Sequence, residues 1–396
     1  MRNLILFISL ALFQVSAYAQ NTWTTIASMA VGRFGSTSFT LNNEGYVVGG
    51  YMSPNISTNE VWKYNPISNQ WTQLPNYPGN GRYQMVSFVI NGNAYVGLGY
   101  NHATNAVYND FWRFDPNTVQ WYSVASLPDS ARMSSASFVI NGKGYVTCGD
   151  FHNNLFSNDL FEYDPVTNTW SSKAPLPSYG RSYCIGFSTS TDGYIVGGDY
   201  NNLANPLKSR QTWRYSPSLN SWSPMQQYPD NNGPSVVFTI GNCHFLGFST
   251  WVANFWQYDT QNDTWISMAP FPGTARALPY NFVIGSMGYV GGGNGQTSTF
   301  FTDSYAYVPP LGCSVITSIE SVESSEITMQ GQYLTLNVIE GSTTLQINDM
   351  LGRAVLRQPL IPGNNSIDLS AFHGVMIATI VDEHSGRISH KKIFLD

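Results

Sequence analysis

The sequence predicts an all-β protein, a six-bladed β-propeller followed by a small β-sandwich, and three observations carry that expectation. Tryptophans close successive blocks at Trp23, Trp71, Trp121, Trp170, Trp222 and Trp265, 43 to 52 residues apart. Between them lie four short segments with strand-like alternation, in which side chains two apart share a face. The sixth block lacks its closing tryptophan, while an unmatched strand, Trp23-Thr24-Thr25-Ile26, opens the array. A unit of this length cannot bury its own faces and must stack on its neighbours.

In chain order, Met1-Arg2-Asn3, the apolar run Leu4 to Phe13 and then Ala17-Tyr18-Ala19 have the form of a secretory signal peptide, residues 1–19, cleaved before Gln20. The apolar run is too short to span a bilayer, and no later stretch is long enough, so no transmembrane segment is expected. Only 11% of the 396 residues are charged and 14% are aromatic, which suits an extracellular β-rich chain. The net charge of −6 is mild. Lys and Arg do not cluster in the repeats, which argues against nucleic acid as a partner.

Each block then repeats one set of markers. An arginine precedes the first segment at Arg33, Arg82, Arg132, Arg181 and Arg276, with Asn232 in the fifth block. Phe39, Phe88, Phe138, Phe187, Phe238 and Phe282 follow at a spacing of six, then an aromatic such as Tyr46 or Tyr95 and a glycine pair such as Gly49-Gly50. Turns such as Asn91-Gly92 make these two segments a hairpin. The third segment alternates aromatics, as in Trp62/Tyr64 and Trp112/Phe114, and Asp115-Pro116-type turns lead to the fourth segment and its tryptophan. If the N-terminal strand completes the sixth blade, the ring closes and two exposed sheet edges disappear.

These Arg, Gly-Gly, aromatic and Trp positions resemble the kelch repeat over Trp23 to Tyr307, within a propeller assigned to residues 20–310. The resemblance implies a propeller, a fold that hosts scaffolds, glycan binders and enzymes alike. After Pro309-Pro310 the pattern stops, and residues 311–330 read as a linker. Short alternating strands follow at Tyr333–Val338, Thr344–Asn348, Ala354–Gln358, Ser366–Asp368, Val375–Val381 and Ile388–Leu395. The run Leu345 to Arg353, Gly363-Asn364-Asn365, Ile367 to Ser370, Gly374 and Lys391-Lys392-Ile393 resembles the type A sorting domain of the bacterial type IX secretion system. The short Pro-Asn-Pro opening common in that family is absent. The resemblance implies that residues 331–396 engage outer-membrane secretion machinery and are then removed, leaving the propeller secreted or cell-surface attached.

The arginine and the loop after the second strand belong to one face of such a ring, and in related kelch propellers this is the usual ligand face. The candidate ligand-binding set is therefore Arg33, Arg82, Arg132, Arg181 and Arg276, with Tyr51, Tyr100, Asp150, Asp199 and Trp251 from the loops. The arginines read either as a funnel for an anionic ligand or as structural donors to a neighbouring blade's loop. Asp150 and Asp199 sit at one register position in adjacent blades, as a cation or sugar-hydroxyl pair or as solvated loop acids. Trp251 is off-register and is the best candidate for stacking on a sugar ring. Asn232, Gly233 and Pro234 mark blade five as irregular, either an asymmetric opening or a degenerate repeat.

Alternation from the conserved-spacing phenylalanines puts Ser38, Ser87, Ser137, Gly186, Val237 and Asn281 toward the channel, with no charge among them. That weakens a general acid/base reading. His102 and His152 share a loop position, which is a possible metal pair. The copper chemistry of galactose oxidase, on a related propeller, also needs a Tyr-Cys crosslink that no cysteine here is placed to form. No cofactor or metal is expected, the other histidines read as structural or solvated, and Cys148, Cys184, Cys243 and Cys313 read as unpaired thiols. The leading expectation is a binding module for glycan or extracellular protein. The alternatives are an enzyme on an acidic sugar, similar to the six-bladed kelch sialate mutarotase, and an adhesion part with no small ligand.

Overall fold

The computed structural model describes residues 21–310, apart from 129–130, 153–154, 203–204, 250 and 298, together with Cys313, Leu369 and the strand residues between 327 and 395. The leader expected at 1–19 and most of the 311–330 linker lie outside the described residues. Six four-stranded antiparallel sheets make up the propeller. Their inner strands, Thr37–Leu41, Val86–Ile90, Ala136–Ile140, Ile185–Ser188, Val236–Ile240 and Tyr280–Ile284, touch one another in a closed circle.

Five blades run outward in chain order, as in Thr37–Leu41, Glu44–Val48, Val61–Asn65 and Gln70–Leu74. The sixth uses Tyr280–Ile284, Met287–Gly291 and Ser304–Val308, and its outer strand is the N-terminal Thr22–Ile26. Trp23 pairs with Tyr307 across that junction, as Trp71 pairs with Tyr64 within blade one. The turn chemistry is also shared. Asn69, Asn168 and Asn220 have left-handed backbones and accept a hydrogen bond from Tyr64, Tyr163 and Tyr215 at 2.8–2.9 Å. Asn21, with φ 54°, does the same for Tyr307 at 2.8 Å, so the first described residue supplies the missing turn of the last blade.

Aromatic layers join the blades. Phe39 stacks on Tyr46 within its hairpin at 5.2 Å, and Phe88 on Tyr95 at 5.4 Å. The glycine before the tyrosine is required by the neighbouring blade: a Cβ on Gly144 would lie 2.4 Å from the Phe88 ring. All the closing tryptophans except Trp121 then donate to the preceding blade's backbone, as in Trp71 to Ala27 O at 2.9 Å, Trp170 to Ala125 O at 2.8 Å and Trp222 to Ala174 O at 2.8 Å. They are inter-blade core, as their register position implies.

His244 lies in the second strand of blade five, 2% exposed, with Nδ1 3.1 Å from Thr239 Oγ1 and its ring on Phe187 of blade four. Burial lowers its pKa from 6.5 to about 4, so the fold holds the neutral imidazole. The unfolded chain therefore takes up a proton first as pH falls. Stability is complete above pH 6.5 and declines between 6.5 and about 4, by about 3 kcal/mol in all. Denaturant unfolding at pH 7.5 and 4.5 checks this: His244→Asn should lose that part of the pH slope even if it is less stable at both values.

The expectation of four unpaired thiols is corrected at two of them. Cys243 and Cys313 form a disulfide across 70 residues, and Cys313 joins the core of blade five around Phe245 and Tyr307. Cys148 and Cys184 are free and buried. The C-terminal strands make a three-stranded sheet, Ile327–Gln330, Tyr333–Val338 and Gly363–Asp368, and a four-stranded one, Ala354–Leu360, Thr343–Asp349, Gly374–Asp382 and Ile388–Leu395. Ile327–Gln330 is thus a strand where linker was expected. No helix among the described residues is long and apolar enough to cross a membrane.

Candidate functional site at the channel mouth

The second residue after each arginine has a left-handed backbone: Gly35, Gln84, Ser134, Tyr183 and Leu278, with φ between 49 and 66°. For a non-glycine residue this conformation costs about 1–2 kcal/mol, and its recurrence reflects a hydrogen-bonded belt. Gly35 N–H donates to Leu278 O at 2.9 Å, Gln84 to Gly35 at 2.6 Å, Ser134 to Gln84 at 3.0 Å and Tyr183 to Ser134 at 2.9 Å. In blade five the position is Pro234, which has no N–H to donate, and the belt stops there.

A second belt lies deeper, made by the inner-strand side chains assigned to the channel. Ser137 Oγ donates to Ser87 O at 2.9 Å, Ser87 to Ser38 O at 3.0 Å, Ser38 to Asn281 O at 2.6 Å and Asn281 Nδ2 to Val237 O at 2.7 Å. It too is interrupted, from blade three through blade four to blade five, because Gly186 and Val237 offer no side-chain donor. The two breaks make one seam. Backbone closes it tightly, since a Cβ on Gly197 would lie 2.4 Å from Gly233 Cα.

Above the belts is a cavity of about 710 Å³ lined by all six channel residues, by Gln84, Ser134 and Tyr183, and on the seam side by Asp199, Pro234 and Trp251. That is the size of an ordinary small-ligand pocket. Asp199 is the charged member of the lining among the described residues. Gln84 Nε2 donates to the Tyr183 phenol at 2.7 Å, while Gln84 Oε1 is buried with no partner. Burial raises the Tyr183 pKa and the Asp199 and Asp150 carboxylates raise it further, against hydrogen bonds from Ser134 and Gln84. The phenol stays protonated at neutral pH and is a donor, 37% of its residue exposed to the mouth.

On the far side an aromatic arc runs across blades: Phe300 on Phe34 at 5.4 Å, Phe34 on Tyr51 at 5.3 Å, Tyr51 on Tyr83 at 5.1 Å and Tyr83 on Tyr100 at 5.5 Å. Tyr51 donates to Asn55 Oδ1 at 2.6 Å, and the buried Tyr100 to Asn105 Oδ1 at 2.8 Å. His152 stacks on Tyr100 at 4.4 Å and bonds Asn105, while His102 sits edge-on to Tyr51. The imidazoles serve this arc, and no group of three or more metal-ligating side chains occurs among the described residues. Asp150 is nearly buried and accepts the His152 N–H at 2.7 Å.

The arginine ring is not part of the cavity lining. Arg33, Arg132, Arg181 and Arg276 are 0% exposed and Arg82 is 1% exposed. Each Nη1 reaches the carbonyl sixteen residues on, from Gly49 O at 3.4 Å to Gly292 O at 3.0 Å. Four also hold an acid of their own blade: Glu60 at 2.6 Å, Asp110, Asp159 at 2.6 Å and Asp303 at 2.6 Å. Burial alone would raise Glu60, but hydrogen bonds from Trp62 and Arg33 outweigh it and hold the carboxyl below its usual range. Asp303 is lowered in the same way by Arg276. The funnel expectation is therefore corrected: the guanidiniums brace each blade from inside, and the partners are in the same blade rather than in a neighbour's loop.

The sequence reading missed the four acids and the Gln84, Ser134, Tyr183 set. The signals were present, an acid two residues before the third-strand aromatic and a fixed column two residues after each arginine.

Blade topology, register markers and a mouth walled by interblade belts define a six-bladed propeller built of kelch repeats. A family model described as the KLHDC2/KLHL20/DRC7 Kelch-repeats domain matches residues 7–149, and the Kelch motif matches residues 131–177. Over 60 residues the chain is 40% identical to Kelch-like protein 25 of Xenopus tropicalis, and equally to that of Xenopus laevis. Those matches cover 13% of this chain and 10% of each relative, so the chain spans only a small part of the curated relatives it matches. A solved structure titled "Structure of YjhT" superposes with a TM-score of 0.59 at 20% identity, covering 70% of this chain and 95% of that one. That likeness is one of fold.

Proposed function

We propose that this protein is an exported binding module whose channel mouth takes a neutral, hydroxyl-rich ligand, the end of a glycan chain. The observation that carries the reading is the mouth cavity itself. Amide, hydroxyl and aromatic groups line it, and no cation does among the described residues. Sugars are held by this combination: apolar ring faces stack on aromatics while hydroxyls bridge amides and phenols. Trp251 supplies a face on the seam side, and the Tyr183 phenol, held by Gln84 Nε2, supplies a donor. The burial of all five arginines, four of them paired with acids, counts against an acidic sugar, and the protonated Tyr183 phenol favours binding over base catalysis. Export by the leader at 1–19 and outer-membrane passage by residues 331–396 belong to the same proposal and rest on the sequence resemblance.

The test is a glycan array probed with the full chain, with Trp251→Ala and Tyr183→Phe beside it. Neutral glycans should bind, and Trp251→Ala should weaken binding roughly tenfold to a hundredfold, the worth of one stacked ring and its desolvation. Binding confined to acidic glycans, or indifferent to both substitutions, would overturn the reading in favour of a protein-docking scaffold.

A further inference from the structure

Blade four departs from the other arginine-bearing blades in one respect. The register position that holds Glu60, Asp110, Asp159 and Asp303 elsewhere is Gln211 here. Arg181 remains, fully buried, and its partners among the described residues are neutral. Nη1 meets Gly197 O at 3.1 Å and Ser209 Oγ at 3.4 Å, and Nη2 meets Ser178 Oγ at 2.8 Å and Gln211 Oε1 at 2.7 Å. Its Nε is buried with no partner at all. Blade five, by contrast, drops both members, with Asn232 and Asn254 at the two positions. Only blade four keeps the cation and loses the acid. A buried guanidinium without a counter-charge is costly, and an anion that reaches it is correspondingly favoured.

A cleft of about 710 Å³ opens beside this cation, lined by Ser178, Tyr179, Tyr200, Gln211 and Trp213 among others. Two of its walls, Ser178 and Gln211, are the direct partners of Arg181 Nη2. Gln211 Oε1 already accepts from Arg181, from Ser178 Oγ at 3.1 Å and from Trp213 Nε1 at 3.3 Å. The amide Nε2 hydrogens are what it has left to offer, and they suit an acceptor. Tyr179, 64% exposed, lies parallel to Tyr200 at 5.8 Å and 7°, giving the cleft a flat aromatic wall.

We propose that this cleft between blades three and four is a second binding site, for a carboxylate carried on a flat ring. The ligand carboxylate supplies the negative charge that blade four lacks, accepting from Gln211 Nε2 with Arg181 behind it, and its ring lies on Tyr179, Tyr200 and Trp213. The site is separate from the mouth and does not depend on what the mouth binds.

Calorimetric titration of the full chain with phenylacetate and with the neutral phenylacetamide tests this. Phenylacetate should bind, weaken with added salt, and bind at least roughly tenfold more tightly than the amide. Gln211→Glu restores the acid of the other blades, so it should abolish phenylacetate binding while leaving the fold and mouth binding intact. Trp251→Ala should leave phenylacetate binding unchanged. The proposal fails if the amide binds equally well, if Gln211→Glu has no effect, or if phenylacetate does not bind at millimolar concentration. The last result would indicate that the neutral partners of Arg181 already satisfy it.

Discussion

Arg132→Ala is expected to lower the free energy of unfolding by about 3–5 kcal/mol, the usual result of removing one partner from a buried ion pair. Arg132 is completely buried, bidentate to Asp159 at 2.6 and 2.9 Å, bonded to Cys148 O at 3.2 Å and set over the Phe151 ring at 4.9 Å. The substitution strands a carboxylate, an acceptor and a cavity together. Asp159 is 24% exposed, so water relieves part of its loss, which places the expectation toward the lower end. Asp159→Asn recreates the neutral arrangement that Arg181 has with Gln211 and should cost less, about 1–2 kcal/mol. Urea unfolding of the two variants separates the roles. An arginine that served a ligand from the surface would leave stability within about 0.5 kcal/mol of the parent and change binding alone.

Trp23→Ala should cost about 3 kcal/mol, the lower end of the range for large core aromatics, because Trp23 is partly buried. Its ring packs within 6.3 Å of Phe238, Phe248, Phe255, Phe271 and Tyr307, and its indole donates to Ala269 O at 3.1 Å. Those partners belong to blade five and to the strand that Thr22–Ile26 completes, so the change loosens the ring at its closure. Thermal unfolding followed by near-ultraviolet circular dichroism reads it directly. A midpoint unchanged from the parent would mean that the N-terminal strand is dispensable.

What could be read from the sequence was what recurs at short, fixed spacing. The Phe39 and Tyr46 columns gave the inner hairpins, and counting one residue back from each phenylalanine gave the channel lining, Ser38 to Asn281, which the cavity bears out. Closure by Trp23 followed from a tryptophan missing at one end and a strand left over at the other. The role of the arginines did not follow, because Arg33 and Glu60 lie 27 residues apart and are brought together by the fold of the blade, not by a period within one strand. The disulfide was hidden for a related reason: where Cys313 returns after Pro309-Pro310 is decided by the apolar surface of blade five, not by local pattern. Tyr183 was overlooked because its left-handed backbone is set by the belt and leaves no mark on its residue type.

The pairing of Thr22–Ile26 with Ser304–Val308 also changes what kind of object the repeat array is. A linear array has end units with one neighbour each, and it frays from those ends at low cost. Here every blade has two neighbours, and Tyr307 and Asn21 are joined across 286 positions of sequence. Opening any one interface leaves the chain still tied around the other side, so partial melting gains little entropy. The ring therefore comes apart as a whole, over one barrier common to all six interfaces. The half-life of the closed ring then becomes the quantity that a change at any interface alters.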